Sequence, residues 1–231
     1  MTLTPIVDST RSEGFYCCHS ELLMKFQEDG AYKFSAFDKS GTIRSVDRDY
    51  YCRLVFGENY RKIENQLSRD IYHYVKADGL NGDQYFSTFH NGLIHGFDKD
   101  GTKIYEWDCP LGEENPIYDI AFEAPHFLWM AFPTGQTVAQ CSLPEKKEVY
   151  RIGDYSYEND HEYLSFPESI SIKGTTLFIP NMGNSKLFKV DVNTKHIELL
   201  ATFTEKIWQY EETELGYFVL TDSGIYRIDQ L

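Results

Sequence analysis

Residues able to do chemistry gather beside the glycine turns of this sequence. His90 and Asn91 precede Gly92, Asn181 and Asn184 bracket Met182-Gly183, and Asp222 precedes Ser223-Gly224. Glu13 precedes Gly14, Glu168 follows Pro167, and Glu114 stands in a polar run at 113–115. Tyr157 and His161 belong to the aromatic and acidic stretch DYSYENDHEYLSF at 154–166. Two kinds of chemistry follow. A neutral imidazole at His90 or His161 can take a proton near neutral pH, which is the work of a general base. A hard cation such as Ca²⁺ takes about six to eight oxygens, and Glu13, Glu168 and Asp222 offer carboxylates for it. For recognition without reaction, Asn91, Glu114, Asn181 and Asn184 offer hydrogen-bonding groups and Tyr157 an aromatic face. The same Asn and Asp residues also suit tight turns, where their side chains bond the local backbone.

The familiar catalytic patterns are missing. No GxSxG elbow, phosphate loop, dinucleotide fingerprint or HExxH spacing occurs. Asp98-Lys99-Asp100-Gly101 opens like a calcium loop but lacks the closing Glu, so it reads as a hairpin turn. His73 and His95 fall within expected strands and read as structural.

The elements that must position these residues are marked by two series of turns. Gly-containing turns recur at Gly30, Gly92, Gly135, Gly183 and Gly224, each between short apolar or aromatic runs, as hairpin connections require. A second turn, usually opening on Asp, follows each: FDKSG at 37–41, FDKDG at 97–101, LPEKK at 143–147, VDVNTK at 190–195 and YRID at 226–229. Strands placed around these turns number four per unit, and inner strands start near Phe15, Ile71, Ile117, Ser169 and Ile207. Five inner strands predict an all-β, five-bladed β-propeller filling residues 1–231 as a single domain, with six blades as the competing reading. The last unit ends without its outer strand, so Leu3-Thr4-Pro5-Ile6-Val7 is expected to pair with Ile225–Ile228 and close the ring. Two insertions interrupt the pattern, at 50–68 and 154–166. The first reads as an extra hairpin turning at Gly57-Glu58-Asn59, or as a degenerate sixth blade.

Composition agrees. Aromatic residues make up 16% of the chain, a bias toward strands. The formal net charge of −14 argues against nucleic acid and anionic membranes as partners and for a dissolved monomer. No apolar run is long enough to span a membrane, and the N-terminus does not read as a secretion signal. Five cysteines, an odd count without a CxxC pair, suit reduced thiols in the cytoplasm.

Pro167-Glu168-Ser169-Ile170-Ser171-Ile172 followed by LFIPNMGNSKLFKVD resembles the NHL repeat, in which a proline-led inner strand precedes an aromatic strand, a GN turn and a strand ending in Asp. Glu13-Gly14-Phe15-Tyr16 resembles the opening of the gluconolactonase-like, or senescence-marker, propellers, where the Glu binds a divalent cation. Glu168 stands where that family carries a proline-led Asp. The resemblance implies a propeller and, at Glu13, a metal ligand.

Two functions are therefore expected in competition. One is a non-catalytic binding module that recognises a small ligand or partner protein at the channel mouth. The other is a divalent-metal-dependent hydrolase of the lactonase type, with Glu13, Glu168 and Asp222 as ligands and His90 or His161 moving protons.

Overall fold

The computed structural model describes residues 1–8, 12–88, 92–111, 116–153 and 164–230. They form five four-stranded antiparallel sheets. Blade one holds β2 (Ser12–Cys18), β3 (Glu21–Glu28), β4 (Ala31–Asp38) and β5 (Ile43–Val46), from the channel outward. Blade two holds β6 (Val75–Asp78), β7 (Gln84–Ser87), β8 (Leu93–Phe97) and β9 (Lys103–Asp108). Blade three holds β10 (Asp119–Glu123), β11 (Phe127–Phe132), β12 (Thr137–Ser142) and β13 (Lys147–Ile152). Blade four holds β14 (Ser171–Lys173), β15 (Thr176–Asn181), β16 (Lys186–Asp191) and β17 (Ile197–Thr202). Blade five takes β18 (Ile207–Thr213), β19 (Gly216–Thr221) and β20 (Gly224–Gln230) from one end of the chain and β1 (Thr2–Asp8) from the other. The fold is a five-bladed β-propeller.

Closure occurs where the missing outer strand required it. Leu3 lies opposite Ile228, Thr4 opposite Arg227 and Val7 opposite Ile225. The pairing removes the free edge that β20 would otherwise present.

The turns that revealed the repeat are held by their aspartates. Asp38 Oδ1 accepts from the backbone N–H groups of Ser40 and Thr42 at 2.8 and 3.1 Å. Asp98 does the same for Asp100 and Thr102 at 2.9 and 2.8 Å, and Asp191 for Asn193 and Thr194 at 3.1 and 2.7 Å. One side-chain oxygen thus replaces two backbone partners in each turn, which is why Asp recurs there.

Apolar residues from facing sheets meet between neighbouring blades at every interface but the one between blades one and two. Phe15, Leu22 and Phe37 of blade one pack on Phe218, Leu220 and Ile225 of blade five. Trp129, Val138 and Ile152 of blade three meet Leu177, Ile179 and Val190 of blade four. Radial sheets expose two apolar faces each, and only neighbouring blades can cover both.

Between blades one and two the contact is made by helices, which corrects the hairpin expected at 50–68. Helix α1 (Arg48–Phe56) begins at Asp47, whose side chain accepts from the Tyr50 N–H at 2.7 Å. It ends at Gly57, whose φ of 85° only glycine adopts freely. Tyr51 and Val55, and Cys52 and Phe56, lie four apart, so both pairs fall on one helical face and are buried. Helix α2 (Tyr60–Glu64) adds Tyr60 and Ile63 to the same cluster, which reaches Phe34 in blade one and Phe86 and Phe97 in blade two. Asn59 Nδ2, Lys62 Nζ and Gln66 Nε2 donate to the carbonyls of Lys99, Asp100 and Gly101 at 3.0, 2.8 and 2.9 Å. The insertion is a wedge that grips the FDKDG turn.

The second inner strand starts at Val75, later than the expected Ile71. Residues Ile71–His73 form a 3₁₀ turn, which places His73 outside any strand. No helix among the described residues is long and apolar enough to cross a membrane.

Candidate functional site

The five inner strands surround a cavity of about 800 Å³ along the propeller axis. Its wall alternates in character because neighbouring residues on a strand point to opposite faces. On β18, Tyr210 turns into the interface with blade four, against Phe178, while Gln209 and Glu211 face blade one. On β10, Ile120 enters the core with blade two, and Asp119 faces blade four.

These polar residues link the blades through the backbone. The Phe15 N–H donates to Gln209 Oε1 at 3.0 Å, and Gln209 Nε2 donates to the Phe15 carbonyl at 2.7 Å and to Glu211 Oε1 at 3.2 Å. Glu211 also accepts from the Cys17 N–H. Asp119 accepts from the N–H groups of Ile120 and Ile170, each at 2.9 Å, joining blade three to blade four. Ser171 Oγ donates to the Tyr210 carbonyl at 2.8 Å, joining blade four to blade five. Lys25 Nζ donates to the Tyr72 carbonyl at 3.0 Å, joining blade one to the approach of blade two.

Enclosure in this wall alters the carboxyl groups. Burial pushes Asp119 up to about 7, and its two backbone donors offset only part of that. Burial, with the charge of Asp119 behind it, pushes Glu211 up to about 8 against its hydrogen bonds and Lys76. The Tyr16 hydroxyl is driven upward by burial and by both carboxylates. A pair of interacting acids on an enclosed axis avoids double ionisation by keeping protons.

The mouth is built differently. Glu13 lies 3.6 Å from Lys25 Nζ, which sits 5.5 Å above the Tyr32 ring. Tyr32 packs edge-on against His73 at 5.2 Å. Burial, reinforced by the Lys25 charge, lowers the His73 imidazole. Trp208 Nε1 donates to Asp222 Oδ1 at 2.8 Å, which fixes that carboxylate on the rim. Burial alone pushes Glu168 up to about 7, and Tyr118 feels its charge.

The three expected metal ligands, Glu13, Glu168 and Asp222, all line this cavity. They do not converge. Among the described residues no three His, Cys, Asp or Glu side chains are placed to hold one metal ion. Glu13 faces Lys25 and one oxygen of Asp222 accepts from Trp208, so the described residues alone do not make up a divalent-cation set.

Asn181 is fully buried in the end of β15, not on the cavity wall. Its Oδ1 accepts from the Ser165 N–H at 2.9 Å and its Nδ2 donates to the Ile179 carbonyl at 3.0 Å. Asn184 Oδ1 accepts from the Lys186 N–H at 3.2 Å, within the turn itself. Asn181 is thus occupied through both side-chain atoms, whereas the buried Nδ2 of Asn184 has no hydrogen-bond partner among the described residues. His90, Asn91, Glu114, Tyr157 and His161 lie outside the described residues.

Sequence reasoning missed Asp119, Gln209 and Glu211 on the cavity wall, and His73, which also lines it, was read as a structural strand residue. A signal existed for Gln209 and Glu211: in Ile207-Trp208-Gln209-Tyr210-Glu211, polar residues two apart on an inner strand cannot both point into an apolar interface.

No family model matches the chain, and no curated protein matches it significantly in sequence. Solved structures do resemble it. A streptogramin B lyase aligns over 95% of this chain and 93% of its own, with a TM-score of 0.56 and 16% identity. The virginiamycin B lyase of Staphylococcus aureus aligns over 93% of this chain with a TM-score of 0.52 and 12% identity. The WD40 propeller domain of Doa1 aligns over 92% with a TM-score of 0.53 and 7% identity. The chain spans 64% of the staphylococcal lyase and 61% of the Doa1 domain structure. Such likeness defines the class as β-propeller. It extends to fold alone, because the matched proteins share almost no sequence with this chain.

Proposed function

We propose that this protein is a non-catalytic binding module that takes a small ligand into the mouth of its central channel. The observation that carries this reading is the axial cavity of about 800 Å³, which falls in the size range of ligand pockets, roughly 300–1,000 Å³. Its wall mixes aromatic surfaces at Tyr118 and Trp208 with carboxylates at Glu168 and Asp222, the combination that orients a ligand as well as holding it. The rest of the wall is locked by inter-blade hydrogen bonds, so the receptor is formed before the ligand arrives.

The hydrolase reading draws on the shared location of Glu13, Glu168 and Asp222, and on the lyases among the structural neighbours, one of them solved as a catalytically inactive His-to-Ala variant with quinupristin. It lacks a ligand set among the described residues, so it is the weaker reading and no step is built on a metal. We place the protein in the cytoplasm, as a monomer, on the strength of its five cysteines outside any disulfide and its acidic composition.

A fragment screen by saturation-transfer NMR tests the module reading. Glu168→Trp places an indole at the mouth, and fragments that bind the wild type should lose at least ten-fold in affinity. Fragments that bind both proteins equally would move the site away from the channel.

A further inference from the structure

Three lysines line the axial cavity and each is spoken for. Lys25 faces Glu13 at 3.6 Å, Lys76 faces Asp78 at 2.5 Å and Lys173 faces Glu212 at 2.9 Å. Four further carboxyl groups on the same wall, Asp119, Glu168, Glu211 and Asp222, have no cation at ion-pair distance among the described residues. Two of these lie deep and are engaged with backbone N–H groups. The other two, Glu168 and Asp222, stand at the mouth.

The mouth pair sits among groups that suit an organic cation. The electron-rich ring of Trp208 is pinned to Asp222, and the Tyr118 ring lies close enough to Glu168 to feel its charge. Aromatic faces attract ammonium groups, most strongly where water is partly excluded. A hard metal ion is a poor alternative, because it needs several converging oxygens and the described residues provide no such set.

We propose that the channel mouth is selective for organic ammonium ions carrying an apolar or aromatic group, held between Glu168 and Asp222 with Trp208 and Tyr118 alongside. This rests on the cavity being a ligand site, and it names the class of ligand. The net charge of −14 favours cation encounter over long distances, so association should weaken as salt is raised.

The test compares probes that share a ring and differ in charge: benzylamine, benzyltrimethylammonium, benzyl alcohol and benzoate. Binding is followed by calorimetry and by quenching of the Trp208 emission, with Trp208→Phe as the reference. Both cations should bind saturably and at least ten-fold more tightly than the alcohol, with benzoate weakest. Glu168→Gln combined with Asp222→Asn should cut cation affinity ten-fold or more while leaving the alcohol unchanged. The paired circular-dichroism melt shows whether that variant stays folded; if it does not, each single variant should still cost several-fold.

Equal affinity for alcohol and cation overturns the charge selectivity and leaves the cavity reading standing. Silence with all four probes overturns both. Calcium binding with the organic cations silent overturns the proposal and assigns the mouth to a metal.

Discussion

At the scale of single residues, the channel carboxyls make the protein sensitive to alkali rather than acid in the range around neutrality. Glu211 holds its proton to about pH 8 in the folded protein, against 4.5 for an ordinary glutamate, and Asp119 to about 7 against 3.8. A carboxyl raised on folding contributes stability that is complete below its unfolded value and is lost as pH rises through its folded value. The groups facing Glu211 are Gln209, Lys76, Asp119 and the Cys17 N–H, and none compensates fully for its enclosure. The melting temperature should therefore fall as pH rises from about 5 to about 8 and level off above that. Glu211→Gln keeps the acceptor for Cys17 and removes the titration, so it should reduce that slope by roughly a third up to about pH 7, where Asp119 and Glu168 still hold their protons, and remove most of what remains between about 7 and 8. Calorimetric melts across that pH range decide it, and an unchanged slope would remove Glu211 as the source. Acid loss belongs to other residues. Asp38 and Asp191 are held below the usual carboxylate range by their turn hydrogen bonds, and their contribution disappears as pH falls through those lowered values. The channel acids were hard to read beforehand because their strands look apolar on average; only the spacing of Gln209 and Glu211 betrays a polar row. The turn acids were legible, although their first use is to shape the backbone.

At the scale of elements, the wedge between blades one and two carries a large share of the packing. Phe56 is 1% exposed and meets Tyr16, Tyr51 and Phe86 at ring distances of 6.0–6.4 Å. Truncation to alanine removes contacts on several sides, at a cost of about 3–5 kcal/mol. Denaturant titration of Phe56→Ala checks this; a loss under 1 kcal/mol would mean that blades one and two hold together without the helices. The strands and turns of all five blades could be read from sequence because Gly and Asp turns have local causes. The helices could not be read so easily. YYCRLVF is rich in residues that favour strands, and Gly57 imitates a hairpin turn while serving as a helix stop. The four-residue spacing of its buried side chains was the contrary signal.

At the scale of the whole molecule, the ring depends on one sheet made from both ends of the described chain. Removing residues 1–8 should leave β20 with an unpaired edge opposite Ile225, Arg227 and Ile228. The truncated protein should then self-associate or lose its single cooperative melt, and a synthetic peptide of residues 1–8 should restore both monomer and melt. Light scattering and calorimetry follow the two effects. A truncated protein that stays monomeric with wild-type stability would show that closure is dispensable. This feature was legible from a deficit: one unit lacked a strand and one strand lacked a unit. It also sets an order of events. Thr4 and Asp229 meet across 225 positions of sequence, so a growing polypeptide must hold its opening segment uncommitted through the synthesis of four blades. The segment is short, mixed in polarity and interrupted by Pro5, a poor nucleus for mispairing while it waits. Docking of that segment therefore has to wait until β20 is available to pair with it.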